Sequence, residues 1–289
     1  MKRCSHPSGL EEGAVAIVTI SYEMGSGGVE IGRAVAERLG YRFVDTELIA
    51  EAAHRYGLLE EKLSSLDETK PSILERFDTE TRRYLTVSQA IIYEFSMEDR
   101  VVIIGRGGQY LLREVPHALR VRVMAPFEMR VRRVLKKMPS QMGEALDIRS
   151  ATELVRKSDA ERSGRMRYLY GVNWADPAFY DVVINTEKLT VNAAVELIVT
   201  LANRTELQTT EAGRQLVANR TLAFQVQAAL AAHPETRKYR IGVEAQNGVV
   251  TLEGTSALDA AEEVARAVPG VRGVKIRQME IPPIPPFVG

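Results

Sequence analysis

The feature that most limits how this chain can fold is a short apolar run that breaks into a glycine cluster and then into a helical repeat. Residues 16–21, AIVTIS, pass into YEMGSGGVEIG, and a helix pattern starts at about Val29. A buried strand feeding a tight turn and a helix is one step of an open, largely parallel α/β sheet. Small residues let backbone N–H groups approach an anion, and the start of the helix adds positive partial charge, so the turn is a candidate phosphate cradle. A plain strand-to-helix turn that uses glycine for positive φ would need the same residues. The lysine of the usual phosphate loop would fall at Gly28 and its hydroxyl neighbour at Val29, so both are missing. Phosphoryl transfer on such a loop requires other cations.

The same alternation continues to about Arg204. Strands are expected at VVIIG (101–105), LRVRVMA (119–125) and DVVINT (181–186), with a short one before Asp45. Helices are expected over Val29–Leu39, Asp45–His54, Ile73–Met97, Phe127–Lys137, Ala151–Arg167 and Asn192–Leu201. The chain carries 38 basic and 38 acidic side chains in 289 residues, which removes a global electrostatic case for nucleic acid or membrane. Against that neutral background, residues 120–137 hold seven Arg and Lys and one acid, Glu128. A solvated helix face or a phosphate-directed cluster would produce this bias. Cys4 is the single cysteine, so no intrachain disulfide forms, as suits a reducing compartment. No segment approaches the roughly 20 apolar residues of a membrane span. Lys2 and Arg3 precede the apolar run at Ala14–Ile20, but Glu11 and Glu12 interrupt the pattern of a signal peptide, and residues 1–13 are expected to be a flexible tail. The four histidines are scattered without metal-ligand spacing, so no metal site is expected. Trp174 is expected as a packing anchor.

Residues 205–215 are polar and are expected as a linker, closing a first unit over 14–204. A second unit, 216–281, reads α, β, β, α, β. Leu222, Val226 and Leu230 share a helix face, Asn247-Gly248 is a hairpin turn, and Pro269-Gly270 ends the second helix. A proline-rich tail, 282–289, follows.

The segments ISYEMGSGGVEIG, YRFVDTELI, VVIIGRGGQYLLR, MAPFEMRVRR and SDAERSGRMRY, in that order, resemble the cytidylate kinase-like family over about Ala14–Leu201. The resemblance implies a P-loop nucleoside monophosphate kinase fold: a five-stranded parallel core flanked by helices, a monophosphate-binding insertion and a mobile lid. It implies that Gly25, Ser26, Gly27 and Gly28 wrap the phosphates of ATP and that Arg106 holds the acceptor phosphate. Arg130 and Arg133 fall in the arginine-bearing helix leading to the lid, with Arg130 at the transfer point and Arg133 beside the donor. Asp159, Arg162 and Arg165 fall on the lid's return helix. There Arg162 would bridge donor and acceptor, while Asp159 would orient an arginine or the cytosine amino group and Arg165 would contact the acceptor. An ion pair at helical spacing explains the Asp159–Arg162 pattern equally. Asp45 faces the acceptor or caps a helix. Tyr22 departs from the family pattern, which carries arginine there in the form SREYGSGG.

Residues 221–281 resemble a BON domain, a small α+β module of order αββαβ associated with phospholipid or other ligand binding. Together these resemblances imply ATP- and Mg2+-dependent phosphorylation of CMP or dCMP in the cytoplasm, with membrane or small-ligand contact through the second unit. A nucleotide-binding sensor with weak or no turnover is the alternative.

Overall fold

The structure is a computed structural model that describes residues 17–45, 48, 49, 52, 54, 56, 79–137 and 147–279, with residues 79–82 as backbone alone. The expected terminal tails at 1–13 and 282–289, most of the helix expected at Asp45–His54 and the start of the one expected from Ile73 lie outside those residues.

Five strands form one parallel sheet: β1 (Ile17–Tyr22), β2 (Arg42–Val44), β3 (Val101–Ile104), β4 (Ala118–Met124) and β5 (Val182–Asn185), in the order β2-β3-β1-β4-β5. The β1 run is apolar because both of its faces are covered; Ile17, Val18 and Ile20 have no exposed surface. The order places β1 at the centre, between β3 and β4, and β3 and β4 continue in opposite directions across the sheet from it. The carboxyl ends of β1 and β3 thus frame the crevice in which open α/β sheets hold ligands.

Helices cover both faces. They are α1 (Gly28–Leu39), α2 (Thr79–Ser96), the short α3 (Gly108–Leu111), α4 (Phe127–Lys137), α5 (Ile148–Tyr170), α6 (Val191–Ala202) and α7 (Glu211–Ala232). The α5 helix is longer at both ends than its apolar repeat predicts. Asp147 caps it by accepting from Ser150 N at 2.6 Å, and Gly171 closes it in the left-handed conformation. The C-terminal unit adds β6 (Gly242–Gln246), β7 (Val249–Gly254), α8 (Leu258–Ala267) and β8 (Gly273–Gln278). β6 and β7 pair as the expected antiparallel hairpin, and β8 joins β7 in parallel.

The stretch 205–215 corrects the expectation of a linker. A 3-10 turn spans Thr205–Leu207, and α7 starts at Glu211, capped by Thr210 Oγ1, which accepts from Gly213 N at 3.0 Å. The helix has two apolar faces. Leu222, Val226 and Leu230 pack with Val250, Leu252 and Ala261 in the C-terminal unit, whereas Val217, Phe224 and Ala228 join the core formed by α2, β1 and β3. Tyr93 of α2 stacks on Phe224 with ring centroids 5.1 Å apart, and Tyr93 O accepts from Thr221 Oγ1 at 3.2 Å. A helix apolar on most of its circumference is one buried between two layers.

His117, 1% exposed, sits at the start of this helix: a Cβ on Gly213 would come within 2.7 Å of its Nδ1. Its Nε2 lies 3.2 Å from Asp99 Oδ1, and Asp99 Oδ2 accepts from Arg214 Nε at 3.1 Å. Burial holds the His117 pKa below its ordinary value, outweighing the pull of Asp99 in the other direction. A depressed pKa means that the unfolded chain binds the proton first, so the contribution is intact above the ordinary value of about 6.5 and is lost on acidification through the folded value. Thermal melts at descending pH through this range should show a falling Tm, and the fall should shrink in His117→Gln. An unchanged pH dependence in that variant would remove His117 as a cause.

Candidate functional site

β1 ends at Tyr22, and the chain turns through Glu23, Met24, Gly25, Ser26 and Gly27 into α1. Gly25 (φ 80°) and Gly27 (φ 90°) are left-handed, and Ser26 N donates to Glu23 O at 3.0 Å. No side chain caps α1 at Gly27, which leaves the first N–H groups of a 12-residue helix pointing at the loop. At Gly28 the geometry leaves no room for a side chain. A Cβ there would lie 2.6 Å from Tyr22 Cγ and closer still to Tyr22 Cβ. The position at which the usual loop carries lysine therefore cannot bear any residue but glycine in this backbone.

The basic run at 120–137 divides: Arg132, Lys136 and Lys137 are exposed, Arg120 pairs with Asp181, and Arg122, Arg130 and Arg133 buttress the loop from behind. Arg130, 5% exposed, donates through Nε to Ala125 O at 3.0 Å and through Nη1 to Asp159 Oδ2 at 2.7 Å and Met24 O at 3.3 Å. Arg133 donates to Thr186 Oγ1 at 2.9 Å and Thr186 O at 2.7 Å, with longer contacts to Gly25 O at 3.4 Å and Ser26 O at 3.5 Å. Thr186 Oγ1 in turn donates to Ser26 O at 2.8 Å. Both arginines thus hold carbonyl oxygens of the loop. Arg122 of β4 donates to Glu23 Oε1 at 3.0 Å and to Trp174 O at 2.6 Å, with its guanidinium 4.3 Å from the Trp174 ring. Glu23 Oε2 lies 3.3 Å from Arg130 Nε. The result is a buried chain of alternating charge, Arg122–Glu23–Arg130–Asp159, that ties β4, the loop, α4 and α5 together. It makes Arg130 a brace of the loop. It also gives Asp159 an arginine partner, and that partner is Arg130 and not Arg162.

In front of the loop, at the ends of β1 and β3, lies a cavity of about 240 Å³. Arg106, Arg162 and Arg165 line it, together with Ser21, Gln109 and Trp174. Among the described residues of its lining, three cations converge against one acid, Glu161. Arg106 sits between Gly105 (φ 72°) and Gly107 (φ 76°) and is itself left-handed at φ 52°, a strained conformation for a side-chain-bearing residue. That turn directs its guanidinium to Tyr84 of α2, whose hydroxyl accepts from Nη1 at 2.8 Å. Arg162 donates to Tyr22 O at 3.0 Å and stacks over the Tyr22 ring at 4.4 Å. Burial lowers its pKa from the usual arginine value, while Tyr22 and Asp159 oppose the shift. Trp174, buried as expected, donates Nε1–H to Ser21 Oγ at 2.7 Å.

Asp45 is placed apart from this cavity. Its Oδ1 accepts from Leu48 N at 3.2 Å and its backbone O from Ile49 N at 3.2 Å, the geometry of a helix cap, and Arg33 lies 3.8 Å away. Reading the sequence alone missed Glu23, Arg122, Thr186, Tyr84 and Gln109. Glu23 carried a signal, as an acid inside a loop meant for anions, and Arg122 lay in the basic run without its partner being readable. A larger cavity, about 720 Å³, is lined by Leu85, Leu169, Leu230, Arg237 and Arg240 among others, and among the described residues shares no lining residue with the first.

A parallel sheet of this order, with an uncapped glycine loop and a cationic crevice, defines a nucleoside monophosphate kinase-like protein. The chain belongs to the cytidylate kinase-like family, whose sequence profile matches residues 17–188, and a BON domain profile matches residues 218–283. The cytidylate kinase of Staphylothermus marinus is 27% identical over 185 residues, spanning 64% of this chain and 94% of the relative. That of Pyrococcus horikoshii is 29% identical over 175 residues, spanning 60% and 80%. Among solved structures, an uncharacterized protein from Eubacterium ventriosum covers 65% of this chain and 98% of its own at 20% identity, with a TM-score of 0.50, a likeness of fold.

Proposed function

We propose that the chain transfers the γ-phosphoryl group of ATP to CMP or dCMP. The observation that carries this reading is that Tyr22 belongs to both sites: it begins the glycine loop and lines the arginine cavity. A donor on the loop and an acceptor in the cavity would meet end to end across it. The uncapped N–H groups of α1 fit the donor's phosphates, and Arg106 fits the acceptor's phosphate as a charge-assisted donor. A phosphate oxygen of the acceptor attacks the γ-phosphorus, the bond to the β,γ-bridging oxygen breaks, and ADP leaves. Arg162 and Arg165 would neutralise charge on the transferring group. Magnesium, supplied with ATP, would screen its phosphate charge. The loop offers it Ser26 Oγ, buried and, among the described residues, without a hydrogen-bond partner, while the Glu23 carboxylate faces two arginines. The preference for cytosine rests on the relatives named cytidylate kinase. In the C-terminal unit, ligand or membrane contact is proposed from the BON match alone. No helix among the described residues is long and apolar enough to cross a membrane, and we assign the reaction to the cytoplasm.

A second reading is favoured by one observation, the closed space at Gly28: a loop that cannot carry the ammonium group would bind nucleotide and turn over slowly. A coupled assay of ADP release with each monophosphate, beside calorimetric titration of ATP, separates the two. Turnover with CMP supports the kinase, and binding without turnover supports the sensor. Arg106→Ala should raise KM for CMP by about 10- to 100-fold, the range for losing a hydrogen bond to a charged group. Unchanged acceptor affinity would remove Arg106 from the site.

A further inference from the structure

We infer that Tyr22 is a positioning residue: its ring and carbonyl dock Arg162 beside the glycine loop, so that a guanidinium borne on α5 supplies the cation that Gly28 has no room to carry. The inference rests on the kinase reading above and adds to it a device particular to this chain. Three observations meet at one residue. The Tyr22 side chain fills the space into which a side chain at position 28 would grow, with Cγ 2.6 Å from an ideal Cβ there. The Arg162 guanidinium lies 4.4 Å from the centre of the Tyr22 ring. The same guanidinium donates to Tyr22 O at 3.0 Å. Ring and carbonyl belong to the last residue of β1, so the arginine is tied to the end of the central strand.

Arg162 also lines the cavity that Arg106 and Arg165 share, so docking it on Tyr22 directs one cation to the seam between loop and cavity. Asp159 and Glu161 both act on that charge, and each is shared with another cation. Asp159 is bound to Arg130, and Glu161 lies 3.7 Å from Lys157. A planar guanidinium suits this seat better than an ammonium would, since it stacks on a ring face while its N–H groups remain available in its own plane.

The test is a double-variant cycle on the full chain, read as kcat and KM with ATP and CMP. Tyr22→Leu should lower kcat by about 30-fold, the factor for a desolvated cation–π contact, and leave KM for ATP within about threefold. Tyr22→Phe, which keeps ring and carbonyl, should restore kcat to within about twofold. Arg162→Met should lower kcat by about 100-fold, and Tyr22→Leu added to it should lower it no further, because the ring acts through the arginine. Losses that multiply in the double variant, a Tyr22→Phe as poor as Tyr22→Leu, or wild-type kcat in Tyr22→Leu would each overturn the inference. If Tyr22→Leu does not fold, Arg162→Lys decides: it keeps the charge without the flat stack, a loss of about 10-fold is expected, and wild-type turnover would overturn the inference. Should wild type bind ATP without turnover, the kinase reading fails alone. The same cycle is then read as ATP affinity, where a loss in Tyr22→Leu that vanishes in the Arg162→Met background supports the docking role and an undiminished loss removes it. A wild-type chain that neither binds nor turns over would overturn both.

Discussion

Glu23→Ala should destabilise the fold by about 3 to 5 kcal/mol, the range found when one partner of a buried ion pair is removed. The size follows from what remains behind. The Arg122 and Arg130 side chains are 6% and 7% exposed, and Glu23, 13% exposed, is the acid between them. Arg130 keeps Asp159 at 2.7 Å, but Arg122 would be left with a carbonyl, a phenol and two aromatic faces. None of these neutralises a buried positive charge. For a chain of this size the loss corresponds to a fall in Tm of about 10 °C, measurable by calorimetry. Donor affinity should fall as well, because the Glu23 carboxylate holds Arg130, which donates to Met24 O of the loop, and its Oε2 accepts from Ala125 N at 3.4 Å. The check on mechanism is the further substitution Arg122→Met, which removes the stranded cation and should recover part of the lost stability. If Glu23→Ala melts with wild type, or if the double variant is less stable than the single one, the charge chain does not hold the loop.

That network also marks where sequence stops being informative. The glycine loop and the strands were legible because their signals are local: a run of β-branched residues, a glycine that must adopt positive φ, a helix that starts at once. The GRG after a strand marked Arg106 as a guanidinium at the end of the sheet, but the left-handed φ of all three residues was not readable. The arginines of 120–137 announced a need for anions but not which ones. Arg122 and Arg130 differ by eight positions, and both meet Glu23, about a hundred residues earlier. An arginine head reaches several ångströms from its Cα, so whether it meets a substrate or a loop carbonyl is decided by packing, and periodicity is silent on that. Tyr84 and Thr186 give no signal at all until α2 and β5 are set against the loop. In α7 the stripe Leu222, Val226, Leu230 was readable and concealed the second stripe, because two apolar faces on one helix flatten the contrast that reveals either of them.

That second stripe carries the other large effect. A chain ended at residue 204 should fail to fold cooperatively, because α7 completes the core of the first unit. Val217 is 2% exposed and Ala228 1%, and with Phe224 they cover α2, where Ile91 and Tyr93 are 0% and 3% exposed. Burying a single large aliphatic or aromatic side chain is worth about 1.5 to 3 kcal/mol, so stripping this face removes an amount comparable with the whole stability of a domain, about 5 to 15 kcal/mol. Polar ties go with it: Arg214 to Asp99 at 3.1 Å, Arg220 to Glu114 at 2.5 Å and Gln225 to Glu94 at 2.9 Å. The consequence reaches the site, because α2 also carries Tyr84, the hydroxyl on which Arg106 rests. A loosened α2 should therefore weaken the acceptor before the donor. Phe224→Ala in the full chain isolates this route. It should cost about 3 kcal/mol and raise KM for CMP while KM for ATP stays within about twofold. A 1–204 chain that melts cooperatively and binds CMP as the full chain does would show that α7 only rests against the kinase fold. The opposite result would make the C-terminal unit's first helix a working part of the acceptor site, and any ligand that shifted that unit would then act on the phosphate-holding arginine through α2.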